Sequence, residues 1–380
     1  TMDRKKIIFL NNHFQYSDGT VRALIGLVNS LDPEKFDITI KPIYRCDRRL
    51  QSELREDIKL EKGFGFYFRG LSKIAVHLPI KWLYKRFVGG KYDIEVGFQT
   101  GLPTILVGNS KNPSAVHVAW MHEYKLWPKC YERCDKVVCV SKYNAEKTKN
   151  AMGNKVNVTC CYNLVDDKVI FEKAKESVNI ETLIHPRFIS VGRHSPEKGY
   201  LRLIKILREL RDEGYIFSLV LVGDGPQHSE IKETVRRLCM EDVVILVGAD
   251  PNPHKYTVKS DVFICSSYSE GYSTACTEAA ILGIPIITTA VSGGEEIIND
   301  CECGMLTGID DDSLKKAIRE VLQKPELINE WKRIMNRTSE KFKLYSRKKT
   351  VNDLFDSLAK LSDEKITKGV DYYELKKQKI

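Results

Sequence analysis

Short apolar runs alternate along this chain with stretches whose apolar residues recur every three or four positions. That is the pattern of strands and helices taking turns around a parallel sheet. Strands are predicted at Lys6–Leu10, Phe36–Ile40, Ile94–Phe98, Val116–Met121, Lys136–Val140 and Val156–Cys161, with helices clearest at Thr20–Leu31 and Lys142–Met152. From Asn163 to His185 the periodicity blurs and charge rises, as in a connection rather than a core element. The alternation then restarts. Strands are expected at Arg187–Val191, Phe217–Val222, Val243–Val247, Asp261–Cys265 and Ile284–Thr288, separated by helices near Gly199–Glu213, Pro226–Cys239, Ser273–Leu282 and Asp311–Leu322. The expected fold class is α/β, with doubly wound domains at residues 1–165 and 186–340. Beyond Glu326 the chain is strongly charged with scattered apolar positions, the pattern of helices lying on a surface. Residues 341–380 are expected to form a C-terminal helical segment that packs back on the first domain.

Composition adds little except by exclusion. With 42% hydrophobic and 29% charged residues in 380, the chain is neither disordered nor fibrous. No stretch approaches the roughly 20 apolar residues of a membrane-spanning helix, and TMDRKKIIFLNN lacks the apolar run of a signal peptide. The eleven cysteines are odd in number and follow no zinc or oxidoreductase spacing, and Cys139 and Cys265 sit in strand-like runs. Buried free thiols fit a reducing compartment, so a cytoplasmic location is expected, with the inner face of the cell membrane as its extension. The net charge is +9, and its distribution matters more than its sum. Between Lys62 and Lys91 there are seven Lys or Arg and no acid, interleaved with Phe64, Phe66, Tyr67, Phe68, Trp82, Tyr84 and Phe87. This segment reads either as a peripheral membrane contact or as a solvated basic face over an ordinary core. Nucleic acid is not an expected partner, because no recognition motif accompanies the charge.

The chemistry gathers in the second half. In VGRHSPEKG, Arg193 follows a predicted buried strand and Lys198 begins the next helix, and cations at such a strand end suit a diphosphate. In SSYSEGYSTACTEAA, Glu270 lies in a loop and Glu278 within the first two turns of a helix, so both carboxylates could face one pocket and accept hydrogen bonds from vicinal hydroxyls. The N–H groups of Tyr272, Ser273 and Thr274, at the start of that helix, could receive a phosphate. Taken singly, each residue has an ordinary structural explanation: solvated cations, a loop acid, a glutamate set against a helix dipole. VGDGP reads as strand-to-helix punctuation, with Pro226 in the first helical position, and is not a dinucleotide fingerprint.

The ordered set FISVGRHSPEKGY, LVLVGDGP, VILVGADPNPHKYTVKSDVFICSSYSEGYSTACTEAAILGIPIITT and SGGEEII resembles the retaining glycosyltransferases of family 4. That resemblance implies the GT-B fold, two Rossmann-like domains facing a cleft, and a bacterial surface-polysaccharide role. It implies that Arg193 and Lys198 bind the donor diphosphate, Glu278 the nucleotide ribose and Glu270 the hydroxyls of the transferred sugar, with backbone contacts from Gly271 to Thr274. In VAWMHEY, His122 would reach the transferred sugar. Its other reading is a satisfied core histidine. Near the N-terminus NNHFQYSDGT offers only Gly19 where many members carry a Gly-Gly loop, which leaves the phosphate role of the Asp18-Gly19 loop open. The implied activity is metal-independent, retaining transfer from a nucleotide sugar, by default a UDP-sugar, to a saccharide or lipid-linked saccharide. No cofactor is expected, the nucleotide sugar being a substrate. The alternatives are a nucleotide-sugar epimerase of the same fold and a non-catalytic nucleotide-sugar-binding subunit. Product analysis separates them.

Overall fold

The computed structural model describes residues 4–15, 19–64, 67–68, 70–180 and 182–368; Asp18, Phe66 and the tail beyond residue 368 lie outside them. The chain divides into two compact units, one running to Leu164 and resuming at Arg347, the other spanning Val165–Ser346.

Among the described residues, the first unit holds β1 (Lys5–Asn11), β2 (Phe36–Pro42), β3 (Lys59–Leu60), β4 (Ile94–Gly97), β5 (Val116–Met121), β6 (Lys136–Cys139) and β7 (Val158–Cys160). Their order is β3-β2-β1-β4-β5-β6-β7, and every pairing is parallel. The second unit holds β8 (Arg187–Val191), β9 (Ser218–Val222), β10 (Val244–Gly248), β11 (Val262–Cys265), β12 (Ile286–Thr289) and β13 (Met305–Thr307). They run β10-β9-β8-β11-β12-β13, again all parallel. Both sheets are doubly wound, as the alternation predicts. β3 and β13 were not foreseen: each ends a sheet and is too short to show a period.

Three expectations need correction. The stretch expected to be only a connection contains the helix Asp167–Ala174, so the second unit starts at Val165 rather than residue 186. The Asp166 carboxylate caps it by accepting from the N–H groups of Lys168 and Val169, and Ile170 is its buried residue. So little apolar surface leaves no periodic trace. The helix after β9 begins at His228, with Pro226 in the preceding turn rather than in the first helical position.

The third concerns the C-terminal helix Leu344–Lys368, which is no surface element. Val351, Phe355 and Leu358 are buried, and the Phe355 ring lies 5.9 Å from Phe9, 6.1 Å from Phe36 and 6.3 Å from Trp120. Its apolar residues recur at helical spacing among many charges, so one narrow stripe fills the core of the first unit. Further along, the buried Lys365 ammonium lies 2.6 Å from Asp135 Oδ2 and donates to the Ala115 carbonyl.

A buried acid sits in the middle of that same sheet. Glu95 on β4 is inaccessible to solvent, and its Oε1 accepts a 2.7 Å hydrogen bond from the Tyr84 hydroxyl. Burial raises its carboxyl to about 7, against the opposing influence of Tyr84, Ser110 and Lys365. The neutral form is therefore the one the fold favours. Its contribution is complete below about pH 4.5 and is lost as pH rises through about 7.

Two stability measurements test this packing. Phe355→Ala is expected to cost about 3–5 kcal/mol in denaturant unfolding, whereas Tyr345→Ala, whose side chain is 92% exposed, changes little. Glu95→Gln keeps an acceptor for Tyr84 and should gain stability over the parent as pH rises from about 5 to about 8, at a limiting slope of about 1.4 kcal/mol per pH unit. A difference that does not vary with pH would contradict the assignment.

Candidate functional site

Strand order in the second unit reverses between β8 and β11, which pair with Phe188 opposite Val262 and Ile189 opposite Phe263. In open α/β sheets, ligands bind beyond the carboxyl ends of the strands at such a reversal. The loops leaving these two strands are in direct contact. Gly199 has φ of 68°, and a Cβ there would lie 2.2 Å from the Ser266 carbonyl oxygen, so a larger residue would push the loops apart. The Ser266 hydroxyl donates to the Lys198 carbonyl at 2.9 Å.

This contact joins two of the residues singled out in the sequence. Lys198 Nζ lies 2.6 Å from Glu270 Oε1, and the Ser267 hydroxyl donates to the same oxygen at 2.6 Å. Oε2 of Glu270 has no hydrogen-bond partner among the described residues. Burial disfavours the Lys198 ammonium, but the charge and hydrogen bond of Glu270 outweigh it and hold the group above the usual lysine range. Arg193, by contrast, is exposed, and its guanidinium has no hydrogen-bond partner among the described residues.

Sequence reasoning passed over Arg202. Its side chain, on the helix Tyr200–Asp212, is buried, with Nε and Nη2 donating to the Ser266 carbonyl at 2.9 and 2.6 Å and Nη2 to Ser267 at 3.0 Å. Nη1 reaches the Ile309 carbonyl, and the guanidinium lies 3.7 Å from the centre of the Tyr268 ring. The signal was one cation within the apolar run YLRLI, which amphipathic patterning assigns to the solvent face.

The helix Thr274–Ile281 starts where expected, but the Ser273 hydroxyl is engaged as its cap, accepting from the Cys276 N–H at 3.2 Å. Gly271 accepts from the Ser292 hydroxyl at 2.8 Å through its carbonyl, Tyr272 is buried, and Thr274 is half-buried in the first helical position. Glu278 Oε2 lies 3.9 Å from Nδ1 of His254, a largely buried pair not foreseen in the sequence. The two glutamates thus have separate partners, Lys198 for one and His254 for the other.

Gly19 and His122 belong to the first unit. Gly19 opens the helix Gly19–Ser30. Strand order reverses there between β1 and β4, where the Asn12 N–H donates to Gln99 Oε1 at 2.7 Å. His122 follows β5, bonded to the Phe98 backbone, with the Phe98 ring 4.7 Å away and Nε2 buried without a partner. Burial lowers its pKa to about 3, so the imidazole is neutral. Among the described residues, no cluster of three or more His, Cys, Asp or Glu could hold a metal ion, and no helix is long and apolar enough to cross a membrane. All eleven cysteines are free thiols.

Residues 173–337 match the family described as glycosyl transferases group 1. A curated relative, the N-acetylgalactosamine-N,N'-diacetylbacillosaminyl-diphospho-undecaprenol 4-alpha-N-acetylgalactosaminyltransferase of Campylobacter jejuni, is 27% identical over 226 residues. The match covers 59% of this chain and spans only 60% of that relative. The lipopolysaccharide core biosynthesis glycosyltransferase LpsD of Rhizobium meliloti is 22% identical over 83% of this chain and 88% of its own length. Among solved structures, Anabaena HepE in complex with UDP and glucose superposes with a TM-score of 0.73 at 15% identity, over 93% of this chain and 100% of that one. With both sheets doubly wound and the likeness to HepE extending over 93% of the chain, the chain has the GT-B fold, and its residues 173–337 are similar to the group 1 glycosyl transferases.

Proposed function

We propose that this protein is a retaining glycosyltransferase that moves a hexose from a nucleotide sugar, preferably a UDP-sugar, to a saccharide or lipid-linked saccharide in cell-surface polysaccharide biosynthesis. The carrying observation is the Lys198–Glu270 pair at the strand-order reversal of the second unit, with the exposed Arg193 on the same loop as Lys198. The UDP in the HepE structure and the names of the Campylobacter and Rhizobium relatives support the choice of donor and of pathway class.

Transfer breaks the bond between the anomeric carbon and the diphosphate, so negative charge builds on the leaving group. Arg193 and the two N–H groups of Lys198 not committed to Glu270 would stabilise that charge more in the transition state than in the ground state, and the N-terminus of the helix Thr274–Ile281, which follows Glu270 in the chain, would add to this. Glu270, fixed through Oε1, would accept from sugar hydroxyls with Oε2, and Glu278 from the ribose. The neutral His122 would accept through Nε2. In the reading proposed here the acceptor hydroxyl attacks from the face the diphosphate leaves, and a departing phosphate oxygen takes its proton. No protein nucleophile and no metal ion are needed, because cationic side chains neutralise the leaving group.

The basic segment of the first unit gives the second part of the proposal, attachment to the cytoplasmic face of an anionic membrane. Lys81, Lys85 and Lys111 line a surface pocket of about 650 Å³ with Tyr84, Gly89, Gly90 and Asn112, and no acid is among the described residues that line it. On the same helix, Ile80–Phe87, Trp82 is 51% exposed, and Phe68, Ile74 and Val76 are exposed nearby in sequence. Cations beside exposed aromatic and aliphatic groups suit an anionic lipid headgroup layer.

Arg193→Ala and Lys198→Ala should each lower transfer from the nucleotide sugar by about 10²–10³-fold, and Glu278→Ala should weaken donor binding. Asp212→Ala, which removes only an exposed partner of Arg208, should retain parental activity. Parental rates in the Arg193 and Glu278 variants would refute the assignment. In flotation assays the protein should rise with anionic but not neutral vesicles, and Lys81→Glu with Lys85→Glu should abolish it. Absence of flotation at physiological salt would remove the membrane part alone.

A further inference from the structure

The loop carrying Arg193 and Lys198 is bonded on its far side to a second loop, and two histidines make that bond. His194, between Arg193 and Ser195, is inaccessible to solvent. Its Nδ1 lies 2.9 Å from Nδ1 of His228, the first residue of the helix His228–Arg237. The rings are stacked, 5.0 Å apart and 9° from parallel, and the Tyr200 ring meets His194 at 5.3 Å and 72°. The backbones are joined as well: the His194 N–H donates to the Asp224 carbonyl and the Gln227 N–H to the His194 carbonyl, both at 2.9 Å. A Cβ on Gly225 would lie 2.6 Å from the His194 oxygen, so the two loops touch with no room for a side chain between them.

A bond between two Nδ1 atoms needs one proton shared by two lone pairs, so one ring must donate and the other accept. Either ring can be the donor, and His194 enters the pair as a neutral ring. Burial, then His228, lowers its pKa to about 4 in spite of Asp224, which leaves it neutral. Asp224 Oδ1, 3.7 Å from His228 Nδ1, favours His228 as donor. Tyr200 is the other titratable group facing the pair.

We propose that His228 is a positioning residue for the donor diphosphate, acting through His194 to fix the backbone from which Arg193 projects. The inference rests on the donor-site reading above, in which Arg193 meets the diphosphate. It also gives VGDGP a second role, since its glycines allow the approach and the histidine beyond it secures the loop.

A double-mutant cycle tests it, with UDP affinity measured by calorimetry, KM and kcat for a UDP-sugar, and thermal unfolding of each variant. His228→Ala should weaken UDP binding about tenfold, the effect of losing one buried hydrogen bond, raising KM more than it lowers kcat. His228→Asn, which places an amide N–H near the lost Nδ1, should restore most of it. In an Arg193→Ala background, His228→Ala should cost less than about twofold, because the group it positions is already gone. Equal losses in both backgrounds, parental affinity in His228→Ala, or no rescue by a folded His228→Asn would overturn the proposal. Arg193→Ala alone reports on the donor site: if it binds UDP as tightly as the parent, that reading fails first, whatever the His228 variants do.

Discussion

The parallel pairing of β8 with β11 is the constraint on which the candidate site of the second unit depends. The chain continues from β8 to β9 on one side and from β11 to β12 on the other. Right-handed crossovers in opposite directions place their helices on opposite faces of the sheet, so the loops after the two strands are left together at its edge. That is how Lys198 comes to lie beside Glu270, 72 residues away in the chain. Only glycine at position 199 allows the backbones to approach, and Arg202 then ties the second loop down through the carbonyls of Ser266 and Ser267. The carboxylate and the ammonium are thus oriented before any substrate arrives.

The energetics of the pair point the same way. Lys198 and Glu270 are 25% and 11% exposed, so both lose hydration, and an ion pair in such a setting contributes little net stability. Its effect is geometric: one carboxylate oxygen is occupied twice and the other is left open. Lys198 is held by the charge and the hydrogen bond of Glu270, whereas Arg193 makes no hydrogen bond among the described residues and meets only the charge of Glu197. On the proposed reading an incoming diphosphate is attracted first by Arg193 and then held by the remaining donors of Lys198.

The alternation of apolar and periodic runs located the long strands to within a residue or two, because strands buried on both faces read as continuous apolar runs. It failed where an element buries too little to show a period, as at β3, β13 and the helix Asp167–Ala174. It failed again where a narrow apolar stripe lies among charges, as around Phe355. Arg193, Lys198, Glu270 and Glu278 were legible only as a set at strand ends and helix starts, since each alone has an ordinary structural explanation, and their roles came from the resemblance. Arg202 and Glu95 were not, since a charge inside an apolar run reads as the solvent face until the partners that bury it are known. His254 and His228 were equally hidden, because each gains its meaning from a residue far away in sequence.

The loop after β8 is fixed although its most accessible cation, Arg193, makes no hydrogen bond among the described residues. Ser266 and Arg202 hold the loop from the β11 side, and Gly223, Gly225 and His228 hold it from the β9 side. A loop fixed from two directions has little backbone freedom left to lose when a ligand binds, so less of the binding energy is spent on ordering it. The remaining freedom is in the side chain of Arg193, and on the proposed reading its long stem would let a bidentate fork adjust to a phosphate without moving the scaffold beneath it. On the same reading a residue such as His194, inaccessible to solvent, would bear on ligand binding without touching the ligand.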